Sequence, residues 1–270
     1  MVTFSHKLDS IIYFVIYGKE PVKISHFKTL SIIAAAMVCA QNAQAGNWSL
    51  GAGALITPEP YRGYQTRVYP VPIINYEDDN FYFRSLTAGY YLWNDRQNQL
   101  SIMAYYLPQH FKPGDSDDER MKLLDKRRST LMAGLTYSHN AEWGTIRTVL
   151  SADTLNNSNG VLADVTYLHR FMLDSWTLVP GIGITWSSKN QTDYYYGVSD
   201  NESRRSGLDS YTAGNSFAPY VELTANYRFT PSWSAFMTGR YISLSNEVKD
   251  SPMVDNSYTA ILLTGVSYKF

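Results

Sequence analysis

The histidine and serine residues that could do chemistry in this sequence are widely spaced. Downstream of residue 45 the histidines are His110, His139 and His169, which fall in separate segments. Metal sites need several histidine, cysteine or carboxylate ligands at one point. Ser138 and His139 are neighbours, and neighbouring residues of a strand point to opposite faces, so these two cannot form a nucleophile and base pair. We predict no catalytic residues, no metal site, no cofactor and no enzymatic activity.

An acidic run is the next candidate for ligand binding. Asp115, Asp117, Asp118 and Glu119 resemble a calcium loop only loosely, because the required glycine and the spacing to a terminal glutamate are missing. A solvated surface loop explains the run better. The 23 basic and 24 acidic residues leave a formal charge of -1, which predicts no binding to nucleic acid.

The N-terminal segment carries the features of an export signal. Basic residues up to Lys28 precede an apolar run at 30–38, and Ala43-Gln44-Ala45 places small residues where a signal peptidase cleaves. We predict a signal peptide over residues 1–45, cleaved after Ala45, followed by one domain over residues 46–270. Because residues 1–21 precede the basic segment, we hypothesise that translation starts at Val22.

The rest of the chain alternates apolar and polar residues with a period of two. Val221 and Leu223 alternate with Glu222 and Thr224, and similar patterns recur at 161–171 and 176–187. The sequence has no run of 18 apolar residues that could form a membrane helix. Strands of an exported protein that have one apolar and one polar face indicate an all-β, transmembrane antiparallel up-and-down barrel.

Barrels of this type have an even number of strands, and we predict twelve. If residues 81–93 form a single strand and the first segment acts as a plug or cap, the number is ten. The predicted strands are residues 48–56, 67–76, 81–85, 88–93, 99–107, 129–139, 143–153, 160–171, 175–188, 217–229, 232–245 and 257–270.

The lengths of the connections predict the orientation of the barrel. Tight turns belong on the periplasmic side, and long connections belong outside the cell. Tight turns are expected at 140–142, 173–175 and 230–232, and outer loops at 108–128, 156–159, 189–216 and 246–256.

The last strand carries the most specific signal. Val266, Tyr268 and Phe270 lie on one apolar face that ends in a C-terminal aromatic residue. This pattern resembles the terminal strand of bacterial outer-membrane barrels, which the barrel assembly machinery reads. We predict an outer-membrane location for the chain.

Charged residues on the polar faces should point into the lumen. Either they pair in a salt-bridge network that plugs the barrel, or they line a constricted, charge-selective pore. The predicted lumen charges are Arg147, Asp164, Arg170, Glu222, Arg228, Arg240 and Lys269.

The connection 108–128 has an acidic block followed by a basic block, a pattern typical of solvated and mobile loops. A sharper hypothesis is that Lys126, Arg127 and Arg128 lie just above the next strand and bind the phosphates of lipopolysaccharide.

Several short motifs follow one another along the chain. They are Pro60-Tyr61-Arg62-Gly63, Tyr69-Pro70-Val71-Pro72, Gly89-Tyr90, Pro180-Gly181-Ile182-Gly183, Tyr195-Tyr196-Gly197-Val198 and Gly265-Val266-Ser267-Tyr268-Lys269-Phe270. In this order, the motifs resemble the MltA-interacting protein family, also called MipA/OmpV. The resemblance implies an outer-membrane barrel of enteric-type bacteria that scaffolds a murein lytic transglycosylase with a bifunctional penicillin-binding protein in cell-wall turnover. It brings no catalytic motif.

A second function stays open, because a barrel with a polar lumen is also typical of a narrow channel for small solutes. The short turns are a weakness of the scaffold hypothesis, since stable complexes usually bury about 800 Å² per partner. A partner would have to contact several turns at once.

Overall fold

The computed structural model describes residues 47–270, which form a closed antiparallel barrel. The predicted signal peptide, its cleavage after Ala45 and the start at Val22 lie outside the described residues. The strands are β1 (Asn47–Thr57), β2 (Arg67–Glu77), β3 (Phe81–Arg84), β4 (Thr87–Asn94), β5 (Asn98–Leu107), β6 (Thr130–Ala141), β7 (Gly144–Asp153), β8 (Val161–Leu168), β9 (Phe171–Leu173), β10 (Trp176–Ser187), β11 (Ser216–Arg228), β12 (Trp233–Ser243) and β13 (Tyr258–Lys269).

Strands β8 and β9 are two parts of one wall strand, because both pair with β10 on either side of a break at His169 and Arg170. The wall therefore has twelve strands, and the predicted number is confirmed. Each strand pairs with its neighbours in sequence, and the ring closes where β1 pairs with β13 from Ser49–Lys269 to Ile56–Leu262. The predicted strand limits agree with the observed ones to within two residues.

The alternation of side chains is the expected one. Val221 and Leu223 on β11 are 53% and 43% exposed, whereas Glu222 between them is 4% exposed. The outer face of the barrel is accordingly apolar, as a surface in lipid requires. Five of the six tryptophans lie at strand ends or in a turn on the side of the tight turns, where aromatic residues mark a membrane interface. They are Trp48, Trp93, Trp143, Trp176 and Trp233.

Helices occur in the long connections on the opposite side. They are α1 (Lys189–Tyr196), α2 (Asp200–Ser206) and α3 (Asn246–Lys249), with single 3-10 turns at Pro113–Asp115 and Met121–Leu123. Within residues 47–270, no helix has the length and apolar character needed to cross a membrane. The tight turn expected at 140–142 is shifted to Glu142 and Trp143, because strand pairing continues as far as Ala141 and Gly144.

The barrel wall has a notch beside β2, because β3 is only four residues long. Pairing between β2 and β3 stops at Asn75–Arg84, and the last bond across this seam runs from the Ser85 N–H to the Ile74 carbonyl. Every second residue of β2, counted from Ile74, directs its backbone N–H and C=O groups toward the notch. Pro70 and Pro72 are among these residues, and proline has no N–H that could be left unpaired. By the same register, the backbone carbonyls of Pro70 and Pro72 point to this side of β2, beyond the end of β3.

Candidate functional site

The outer loops close the barrel with an apolar cap. In its centre, the ring of Tyr61 lies 5.1 Å from the Phe111 ring and 5.6 Å from the Tyr196 ring. Met121 and Met253 are fully buried in the same cluster. The expectation that the connection 108–128 is solvated is therefore wrong for its apolar residues, which pack against residues from other hairpins.

Backbone contacts fix the cap to the loop between β1 and β2. The Asp117 N–H donates to the Gly63 carbonyl at 2.9 Å, and the Ser116 hydroxyl donates to the Arg62 carbonyl at 2.7 Å. Gly63 has a φ of 68°, and a Cβ there would lie 2.7 Å from Ser116 Oγ. The turn therefore requires glycine for its backbone conformation and for this close approach.

Two acidic residues of the run 115–119 pair with arginines. Asp115 accepts from Arg67 at 2.9 Å, and Asp118 accepts from Arg120 at 2.7 Å. Within residues 47–270, no three histidine, cysteine or acidic side chains come together as a metal site would need.

Arg127 does not lie at the surface. It is 8% exposed and donates to Glu202 Oε1 at 2.8 Å and to the Gly197 carbonyl at 3.0 Å. The hypothesis of three basic side chains facing lipopolysaccharide needs correction, because Arg127 holds α2 against the cap. Lys126 and Arg128 are exposed, and lipopolysaccharide binding by these two stays a prediction.

Below the cap, four of the predicted lumen charges lie in one buried network. The Arg240 guanidinium donates from Nε to Glu222 Oε2 at 3.0 Å. Arg147 lies on the other side of the same carboxylate, 3.5 Å from Oε1. Two basic groups thus share one acid in the middle of the lumen.

Asp164 completes this network from β8. Its carboxylate accepts hydrogen bonds from Tyr220 at 2.9 Å, from Thr166 at 2.8 Å and from Thr185 at 2.6 Å. The Tyr220 ring lies under the Arg240 guanidinium, 4.0 Å from centroid to Cζ. A low-dielectric interior strengthens hydrogen bonds to a charged group that is paired, as the Asp164 carboxylate is here. The cap lies across the outer end of the lumen, and the network lies across its middle.

The other three predicted lumen charges lie at the end of the barrel with the tight turns, which the connection lengths predict to be periplasmic. Arg170, Arg228 and Lys269 line a cavity of about 680 Å³. Its deeper wall includes Ile73 and Phe236, which belong to an apolar cluster inside the barrel. The sequence did not predict this cavity, because its existence depends on which strand ends carry small inward side chains.

The terminal strand ends at the rim of this cavity. The Phe270 N–H donates to the Trp48 carbonyl at 3.1 Å, and its ring lies 5.0 Å from that of Tyr268. Val266 and Phe270 are exposed on the outer face. Recognition of these residues by the assembly machinery stays a prediction.

Comparison with known proteins places the chain in a family. Residues 50–270 match the family described as MltA-interacting protein MipA. The MltA-interacting protein of Escherichia coli strain K12 is 54% identical over 225 residues, covering 83% of this chain and 91% of the relative. Outer membrane protein OmpV of Vibrio cholerae is 25% identical, covering 92% of this chain and 99% of the relative.

Among solved structures, an outer membrane channel from Pseudomonas putida F1 aligns with a TM-score of 0.41 at 10% identity, covering 84% of this chain and 95% of that channel. From the match over residues 50–270 and the 54% identity, the chain is a member of the MltA-interacting protein MipA family and an outer-membrane β-barrel.

Proposed function

We propose that this barrel binds a murein lytic transglycosylase of the MltA type at its periplasmic end and holds it at the outer membrane. The observation that carries the proposal is the 54% identity to a protein named for its interaction with MltA. The relatives are named as interacting or outer-membrane proteins, and the proposal gives the chain itself no catalytic step.

The shape of the barrel supports the choice of the periplasmic face. The cap and the charge network lie across the outer and middle lumen, while the cavity opens at the other end. A narrow channel would need a path past Glu222 and its two arginines. We expect purified barrels in planar bilayers to give no steady ionic steps, and regular steps would favour the channel.

We extend the proposal to the further partners that the family resemblance implies. A penicillin-binding protein would join the transglycosylase at the same rim, so that murein synthesis and cleavage are coupled. The barrel assembly machinery would read Val266, Tyr268 and Phe270, which form the apolar end of the closing strand.

Co-purification tests the central interaction. The barrel, extracted in mild detergent with an affinity tag placed in an outer loop, should retain the lytic transglycosylase of the same cell. An unrelated outer-membrane barrel of similar size, tagged in the same way, is the control. Equal recovery from both barrels would contradict the proposal.

A further inference from the structure

We propose that the periplasmic cavity is a binding site for an acidic, extended peptide segment of the partner protein. This inference rests on the proposed function and adds the chemistry by which the partner is recognised. The cavity of about 680 Å³ opens at the rim where a periplasmic partner would dock.

The charge network lies in the lumen between the cavity and the cap, an arrangement that suits a binding site better than a passage. The deeper wall of the cavity is formed by Ile73 and Phe236, and the Arg147–Glu222–Arg240 network lies across the lumen. A segment that enters from the periplasm would therefore stop inside the barrel. Enclosure on several sides removes most of the segment's surface from water, as in pockets that hold ligands.

Basic residues are arranged around the mouth on alternate strands. Arg228 on β11 lies opposite Ser234 on β12, and Lys269 on β13 lies opposite Ser49 on β1. Arg170 extends the series from the junction of β8 and β9, where it also lines the cavity. The hydroxyl side chains between the charges are small, so they leave room for a backbone and can bond to it.

The inward-facing polar side chains continue across two further strands, β2 and β3. Ser49 lies opposite Asn75 on β2, and Asn75 lies opposite Arg84 on β3. The Asn75 amide donates to the Ser49 hydroxyl at 3.1 Å, while Arg84 pairs with Glu77 at 3.1 Å. Side chains with amide and hydroxyl groups at regular strand spacing can serve the polar groups of an extended peptide.

The charge of the cavity selects an acidic occupant. Its lining has four basic side chains, namely Arg84, Arg170, Arg228 and Lys269, against the two acidic side chains Glu77 and Asp174. The full chain, by contrast, has a formal charge of -1. Complementary charge steers association and rejects wrong partners.

Insertion of a peptide segment into the cavity would also compensate for the small contact area that the short turns offer a partner. The periplasmic connections such as Glu142–Trp143 and Asp174–Ser175 have two residues each. Such turns provide little of the roughly 800 Å² per partner that a stable complex buries. A segment placed inside the cavity would add the cavity wall to the contact area without longer turns.

The test uses the purified barrel and a fluorescein-labelled hexaglutamate peptide, with hexalysine as the opposite-charge probe. Hexaglutamate should bind to the wild-type barrel and hexalysine should not. The double variant Arg228→Gln/Lys269→Gln should bind hexaglutamate about tenfold or more weakly, because two charge-assisted contacts are lost. The control Lys126→Gln/Arg128→Gln removes the same charge at the outer end and should bind like the wild type.

Three results would overturn the inference: no hexaglutamate binding, equal loss in both double variants, or binding of a carboxylated oligosaccharide in preference to the peptide. Heat-modifiable migration of each variant confirms that the barrel is folded. Co-purification of the transglycosylase separates the two proposals. If Arg228→Gln/Lys269→Gln recovers as much transglycosylase as the wild type, the proposed function stands and the cavity is not the binding site. If the wild-type barrel binds hexaglutamate but recovers no transglycosylase, the cavity binds acidic peptides and the proposed function is wrong.

Discussion

Arg240 and Glu222 form an ion pair inside the barrel, with Nε of the arginine 3.0 Å from Oε2 of the glutamate. Both side chains are buried, and Arg147 lies against the other carboxylate oxygen. Burial of charge is tolerated only when the charges are paired and hydrogen-bonded. This pair therefore holds β11 and β12 in a fixed geometry and occupies the middle of the lumen.

Replacing Glu222 with Gln removes the anion that two guanidinium groups share. We expect a loss of about 3 kcal/mol or more in the free energy of unfolding, as for other broken buried ion pairs. Urea-dependent loss of heat-modifiable migration measures it. The control is Glu119→Gln, whose carboxylate is 84% exposed beside Lys122 and should contribute almost nothing. Equal stability of the two variants would show that the lumen network is not structural.

Leu223→Arg tests which face of β11 meets lipid. Leu223 is on the outer face near mid-strand, and an arginine there should cost about 2–4 kcal/mol. Asn226→Arg is the matched change on the same strand, because Asn226 lines the periplasmic cavity. Its cost should be much smaller, as the new charge remains in water. Similar losses in refolding into lipid vesicles would mean that β11 does not cross a bilayer.

The strands of the barrel and their lipid-facing sides could be predicted because the signal for each strand lies within its own short stretch of sequence. Alternation along β11 places Leu223 outside and Glu222 inside once a lipid-facing wall is assumed, and the same rule applies to each strand. The limits of the strands followed from polar turns, where Asp174 and Ser175 end one pattern and Trp176 begins the next.

The cap and the cavity could not be predicted, since both depend on contacts between distant hairpins. Phe111 and Met121 lie in a charged connection without helical or strand period, and they become buried only when loops from other hairpins meet above the barrel. The apolar residues in that connection were the available signal. The cavity depends on register, which sets Ser49 beside Lys269 and Ser234 beside Arg228.

The notch beside β2 should contain water. The carbonyl groups of Pro70 and Pro72 point into the notch beyond the end of β3, and backbone groups without a neighbouring strand at membrane depth persist only beside protein or water. In a Cys39→Ser background, a cysteine introduced by Pro72→Cys should react with a membrane-impermeant, charged maleimide. A cysteine from Ile182→Cys, on the lipid-facing side of a fully paired strand, should stay unlabelled. Equal labelling at both positions would contradict a local opening.

Glu59 should make the cap sensitive to pH. Burial raises the pKa of its carboxyl well above 4.5, with Arg67 lowering it and Asp115 raising it further. Between the unfolded pKa and the raised folded pKa, the folded cap holds a proton that the open form has lost, so cap stability falls as pH rises. Glu59→Gln removes this dependence.

We expect proteolysis within the connection 108–128 to be slower in Glu59→Gln than in the wild type at pH 7, with the ratio of the two rates approaching one near pH 4.5. The ratio cancels the pH dependence of the protease. A ratio that stays constant over this range would show that the Glu59 carboxyl does not titrate with the cap.

Site-specific photocrosslinking in intact cell envelopes tests whether the periplasmic rim of the barrel binds the lytic transglycosylase. A photoreactive residue at Glu142 or Ser175 lies on the periplasmic rim, whereas one at Glu119 lies in the outer loops. We expect a crosslink to the lytic transglycosylase from the rim positions and none from Glu119. Rim positions that capture no murein enzyme, in cells where the transglycosylase is present at normal levels, would contradict it.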